Sequence, residues 1–211
     1  MVPCIRAGAR QASAQRCAWP SRWLIVGKRT VTPKPRRAND AYFTPPEAVA
    51  PLIPHLTGVR RFVEPCAGDG ALVRALTSYG LRCARASDIA PAPIPTGAPK
   101  LAICEVDALE CERLPQVRAD AIITNPPYTR DVMHALIERF LGILPTWVLL
   151  EADWAYTGQA ADLLARCSDI VPIGRVKWIE GSDNTGKDNF AWYRFHGQHR
   201  GATVFWPRGA V

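Results

Sequence analysis

Asn125-Pro126-Pro127-Tyr128 stands directly after the apolar run Ala121-Ile122-Ile123-Thr124. Two successive prolines fix φ and remove two backbone donors, so the chain should leave a strand on a rigid, extended path that offers its carbonyls. The Asn125 side-chain oxygen and the Pro126 carbonyl can then each accept one hydrogen of a single NH₂ group. Held this way, the nitrogen is pulled out of conjugation and its lone pair is aimed at an electrophile. Tyr128 can stack on the flat π-system that carries the amine, a contact worth roughly 1–3 kcal/mol for a base. A proline pair can also simply end a strand, but its position and neighbours favour the chemical reading.

A second constellation, Val63-Glu64-Pro65-Cys66-Ala67-Gly68-Asp69-Gly70-Ala71-Leu72, reads as a strand, a glycine turn and the start of a helix. Glycines at Gly68 and Gly70 would let the backbone approach a ligand, and the carboxyl edge of a parallel sheet is where open α/β folds bind ligands. The competing reading is a glycine connection with no ligand. The spacing differs from G-x-G-x-x-G, which argues against a dinucleotide pyrophosphate. Acidic residues recur at successive strand ends: Glu64 or Asp69, then Asp88, then Asp107. Asp88 can accept two ribose hydroxyls, Ile89 can lie against an adenine face, and Asp107 can accept from the adenine amino group. Any one of them alone could cap a helix; three in register are harder to dismiss.

These residues need a sheet to bring them to one edge. From Phe43 onward, apolar bursts alternate with helical stretches, the pattern of repeated βα units and a mainly parallel sheet. Strands are expected at 61–64, 83–88, 102–106, 121–124 and 147–150, and helices at 71–79, 131–141 and 159–167. Strand-like segments at 176–179, 190–195 and 203–206 follow, the last two placed as an antiparallel hairpin. The prolines Pro91, Pro93, Pro95 and Pro99 mark a loop. Before Asp40 the chain has no acidic residue and many arginines and lysines. A DNA-tracking arm, an organelle transit peptide and an extension with no folded role compete for this segment, and the last is preferred. The expected organisation is a basic extension over 1–39, with disorder one expectation for it, and a single domain over 40–211.

Together the two motifs resemble the class I, seven-stranded amino-methyltransferases, specifically DNA adenine-N6 methyltransferases whose cofactor motif precedes the catalytic one. The resemblance covers about residues 40–195. It implies a Rossmann-like α/β fold, a mainly parallel seven-stranded sheet with a C-terminal antiparallel hairpin, and S-adenosylmethionine as cofactor. Upstream, Tyr42-Phe43-Thr44-Pro45-Pro46 resembles the family's N-terminal cofactor motif, a turn and a helix over 46–56 lying over the cofactor's methionine part. The resemblance further implies that Glu64, Ala67 and Gly68 contact the methionine part, with Pro65, Gly70 and Asn125 also in the cofactor site. Asp88 and Ile89 would meet the ribose and adenine, Asp107 and Ala108 the adenine edge, and Asn125 and Pro126, with Pro127 and Tyr128, the target amine. A late aromatic residue, Phe190 or alternatively Trp192, would close a sandwich with Tyr128 on a base flipped from the duplex. His134, just beyond the catalytic loop, reads as a surface or capping residue, and no metal is called for.

The chain has 211 residues, 48% of them hydrophobic and 21% charged, enough for one good core. No apolar run approaches the roughly 18 residues of a membrane span, so a soluble, cytoplasmic protein is expected. Seven cysteines without a C-x-x-C pair read as reduced thiols. A net charge of +7 favours a polyanionic partner, with DNA first and an RNA base or a protein glutamine amide as rival substrates. A catalytically silent nucleic-acid-binding subunit is a rival of another class. After Asn125 little chain remains for a target-recognition domain, so short loops at 129–130 or 180–188 would have to read sequence, as in a compact, phage-type enzyme.

Overall fold

The computed structural model describes residues 43–112, 114–178 and 186–209. The basic extension at 1–39, Tyr42 and most of the 180–188 loop lie outside the described residues.

Eight strands form one sheet in the order β3-β2-β1-β4-β5-β7-β6-β8. The strands are β1 (Arg61–Glu64), β2 (Arg82–Asp88), β3 (Ile103–Glu105), β4 (Ala121–Thr124), β5 (Thr146–Glu151), β6 (Cys167–Arg175), β7 (Asn189–Phe195) and β8 (Val204–Phe205). β1 to β5 pair in parallel, whereas β7 runs antiparallel between β5 and β6. The helices are α1 (Pro46–Val49), which continues as a 3-10 turn over Ala50–His55, α2 (Ala71–Ser78), α3 (Arg130–Leu141) and α4 (Ala161–Leu164). Among the described residues no helix is long and apolar enough to cross a membrane.

The central strands are apolar on both faces because both faces are covered. Phe62, Ile123, Trp147, Leu149 and Trp192 pack with α1 and α2 on one side. On the other, Val63 and Ile122 join Leu136 and Phe140 of α3, and Val148, Leu150, Ala191 and Tyr193 join Met133 and Ile137. All four residues of β4 are buried. Trp192 is itself fully buried, its indole N–H donating to the Ala48 carbonyl at 2.7 Å and tying β7 to α1.

Several elements depart from the sequence expectations. The helix expected over 46–56 turns 3-10 after Val49, because Pro51 and Pro54 cannot donate i to i−4 bonds. The helix expected over 159–167 is only Ala161–Leu164, and Cys167 already opens β6. β6 holds Pro172 and Gly174, which argue against a strand in a sequence; both lie at a register shift where Gly174 takes φ 81°, so the strand bends there instead of ending. The strand expected at 176–179 does not form over 176–178, and Ile179 lies outside the described residues. The closing hairpin is therefore β6 with β7. Residues 203–206 do not pair with β7, which is already flanked by β5 and β6; β8 adds to β6 in parallel as an eighth strand.

Candidate active site

Parallel pairing of β1 to β4 puts Glu64, Asp88, Asp107 and Asn125, each at or just beyond a strand end, along one edge of the sheet. A cavity of about 470 Å³ opens there, within the range typical of cofactor sites. It is lined by Thr44, Pro65, Ala67, Gly68, Asp88, Ile89, Asp107, Ala108, Asn125 and Pro127, among others. The two sequence motifs, about 60 residues apart, thus share one chamber. Pro45, Glu64, Gly70, Pro126, Tyr128 and Phe190 are not part of its lining.

The glycine turn is shaped by backbone conformations that other residues rarely adopt: φ is 53° at Gly68 and 82° at Gly70. A Cβ at Gly70 would come 2.5 Å from a Leu101 methyl. Asp69 is spent on structure. Its carboxylate accepts the Ala71 N–H at 2.8 Å in a turn leading into α2 and pairs with Arg74 at 3.0 Å. Asp88 accepts the Gly68 N–H at 2.7 Å through one oxygen and the Ala90 N–H at 2.8 Å through the other. It therefore braces the glycine turn from β2, and each oxygen keeps a second lone pair for a ligand hydroxyl. Asp107 accepts the Leu109 N–H at 2.8 Å in a local turn. Ile89, 60% exposed, gives the cavity wall an apolar face.

Glu64 lies under the turn with no exposed surface. One oxygen accepts the Thr124 hydroxyl at 2.6 Å and the Cys66 N–H at 2.9 Å, tying the end of β1 to the end of β4. The other has no hydrogen-bond partner among the described residues. Burial pushes its carboxyl up to about 8, against the opposing pull of the Thr124 and Cys66 hydrogen bonds. Desolvation and then the Glu64 charge hold the Cys66 thiol well above its usual range, so Cys66, although on the cavity wall, is a poor nucleophile.

At the turn after β4 the Asn125 amide donates to the Thr44 hydroxyl at 3.1 Å, and its oxygen accepts the Tyr128 hydroxyl at 2.6 Å. Tyr128 is half-buried and touches Phe190 at 5.8 Å between ring centroids, tilted 41°. Phe190 is buried and meets Trp178 edge-on at 4.8 Å. Tyr128 and Phe190 are thus brought together, but as an ordinary ring pair with no space between them for a base. His134 accepts the Trp154 indole N–H at 3.0 Å, which occupies the nitrogen a base would use.

Sequence reasoning missed the α3 wall. Val132 and Leu136 line the cavity, and their i, i+4 spacing, with Thr129 before them, was the available signal. No sequence signal could have found the bond between Thr44 and Asn125, which spans 81 positions.

No protein-family model matches this sequence, and no curated protein matches it. Solved structures do. A methyltransferase subunit of a type I restriction-modification system from Streptococcus thermophilus aligns with a TM-score of 0.52 at 12% identity, over 76% of this chain and 46% of that one. A provisionally assigned class I S-adenosylmethionine-dependent methyltransferase from Listeria monocytogenes aligns at 0.51 and 10% identity, over 80% and 66%. A provisionally assigned RNA methyltransferase from Pyrococcus horikoshii aligns at 0.50 and 16% identity, over 77% and 91%. The chain spans about half the length of the Streptococcus subunit it matches. At these identities the likeness concerns architecture: the fold is that of the class I S-adenosylmethionine-dependent methyltransferases.

Proposed function

We propose that the chain transfers a methyl group from S-adenosylmethionine to the exocyclic amino group of adenine in DNA, acting on a base flipped out of the duplex. The observation that carries this reading is that Asn125, at the end of the fully buried β4, opens onto the same cavity as the glycine turn. A methyl donor in that cavity and an amine at Asn125 would therefore be neighbours.

The residues fit the cofactor. Ile89 and the Asp107-Ala108 turn suit a flat, hydrogen-bonding ring, Asp88 suits vicinal hydroxyls, and the glycine turn leaves backbone exposed for close approach. The unpartnered oxygen of Glu64 under the same turn would be relieved by a cationic group nearby. The bound cofactor supplies an electrophilic sulfonium methyl. The Asn125 oxygen and the Pro126 carbonyl would take the two amine hydrogens, localise the nitrogen lone pair and direct it at that methyl. Methyl transfer neutralises the sulfonium, and the extra proton on the nitrogen can leave afterwards to water, so no general base is needed beforehand.

The choice of DNA rests on the motif order, the net charge of +7 and the resemblance to adenine-N6 enzymes. The deciding experiment incubates the protein with methyl-labelled S-adenosylmethionine and, in parallel, unmethylated DNA, total RNA and a cell protein extract. Label recovered as N6-methyladenine in DNA, and lost with Asn125→Ala by at least about 10²-fold, is the expected result. Label confined to RNA or protein would keep the chemistry and replace the substrate. A wild-type protein that binds cofactor but labels nothing would favour a silent binding subunit.

A further inference from the structure

Asn125 can serve an amine only if its oxygen, and not its NH₂ group, faces the substrate. The two ends of a side-chain amide are nearly the same size, so hydrogen-bond partners decide which end points where. In this protein both ends are held by hydroxyls: the NH₂ group donates to Thr44 at 3.1 Å, and the oxygen accepts from Tyr128 at 2.6 Å. A phenol is the stronger donor and an aliphatic hydroxyl the stronger acceptor, so the two favour the same orientation.

The two anchors differ in what substrate does to them. The Tyr128 hydroxyl sits on the oxygen that the amine requires, so an arriving amine must share that atom or displace the phenol. Thr44 holds the opposite end, the one the amine does not use, and is itself only 3% exposed. Thr44 is also a wall of the cavity, and its neighbour Phe43 lies against the glycine turn, 3.3 Å from where a Cβ on Gly68 would stand. One short strap, 43–45, thereby touches the turn at the end of β1 and the amide at the end of β4.

We propose that Thr44 is a positioning residue: its hydroxyl fixes the Asn125 amide with the oxygen toward the substrate and links packing of the cavity to presentation of that oxygen. The inference rests on the amine-methylation reading above, but the orientation it assigns can be measured without turnover.

The test compares wild type with Thr44→Val, which keeps the shape and removes the hydroxyl, and Thr44→Ser, which keeps the hydroxyl. In the full chain, kcat at saturating DNA and cofactor, the cofactor Kd, and the water-exchange rate of the Asn125 side-chain NH₂ by NMR are measured. At saturating cofactor Thr44→Val should lower kcat on the order of 10–100-fold, beyond any change in the cofactor Kd, and speed exchange of the Asn125 hydrogens; Thr44→Ser should resemble wild type in all three. A Thr44→Val enzyme with wild-type kcat and slow exchange overturns the proposal. So does a loss confined to cofactor affinity, or a Thr44→Ser variant as impaired as Thr44→Val. If wild type methylates nothing, the functional reading fails, and the exchange rates alone still decide the role of Thr44.

Discussion

Glu64 is a carboxyl group kept from water and given one hydroxyl and one amide as partners. Its folded value, about 8, lies above its ordinary value of 4.5. The folded protein therefore binds more protons than the unfolded chain between those values. Stability from this group is full below about pH 4.5, falls as pH rises and is lost above about 8. Glu64→Gln should flatten that part of the profile, which thermal unfolding of both proteins from pH 4.5 to 8.5 will show as a difference that grows with pH; parallel curves would mean that the carboxyl is not the source. Gly70 makes a second residue-scale prediction. Gly70→Ala places a methyl against Leu101 at positive φ and should cost about 1–3 kcal/mol, measurable by urea denaturation. The Gly68 and Gly70 turn and Asn125 were legible because their residue types are unusual for the positions they occupy. Thr44 was legible only as a suspected cofactor contact, since a hydroxyl carries no mark of the amide it will meet 81 positions later.

β4 illustrates what an element contributes. Ala121, Ile122, Ile123 and Thr124 are all buried between β1 and β5, and the proline pair that follows ends the ladder where Asn125 must stand. Ile122→Ala removes three carbons from the layer shared with Leu136 and Phe140. It should destabilise by roughly 2–5 kcal/mol and, because α3 also walls the cavity, weaken cofactor binding. Calorimetry on the variant would measure both; unchanged stability would imply that α3 settles to fill the space. Strands 1, 4 and 5 were readable because short apolar runs between polar breaks mark buried parallel strands. β6 had no counterpart among the expected strands: Pro172 and Gly174 carry the sequence marks of a loop, whereas here they sit at a bulge in a strand held by β7. α4 was overextended because Cys167 is apolar in either setting, and only its pairing with Phe195 decides that it is strand.

For the molecule as a whole, filling the cavity should stabilise the fold by mass action. At about 100 times its Kd, S-adenosylmethionine should contribute roughly 2.7 kcal/mol, a rise of about 5–10 °C in Tm for a domain of this size. A thermal shift series with S-adenosylmethionine and its demethylated product will show it, and no shift with either would separate this chain from cofactor-binding members of its fold. By itself the sequence determined the βα alternation, the glycine turn, the acidic strand ends and the asparagine and proline pair that close β4, because each depends on local periodicity or on residue types with few alternative uses. Only the tertiary structure decided which late strands pair, that Asp69 pairs with Arg74 while Asp88 braces the glycine turn, that Phe190 packs into the core against Tyr128, and that Thr44 holds Asn125. The physical reason is the same in each case. Strand partners and hydrogen-bond partners far apart in the chain are chosen by competition among groups that packing brings together, and that competition leaves no periodic trace in the sequence.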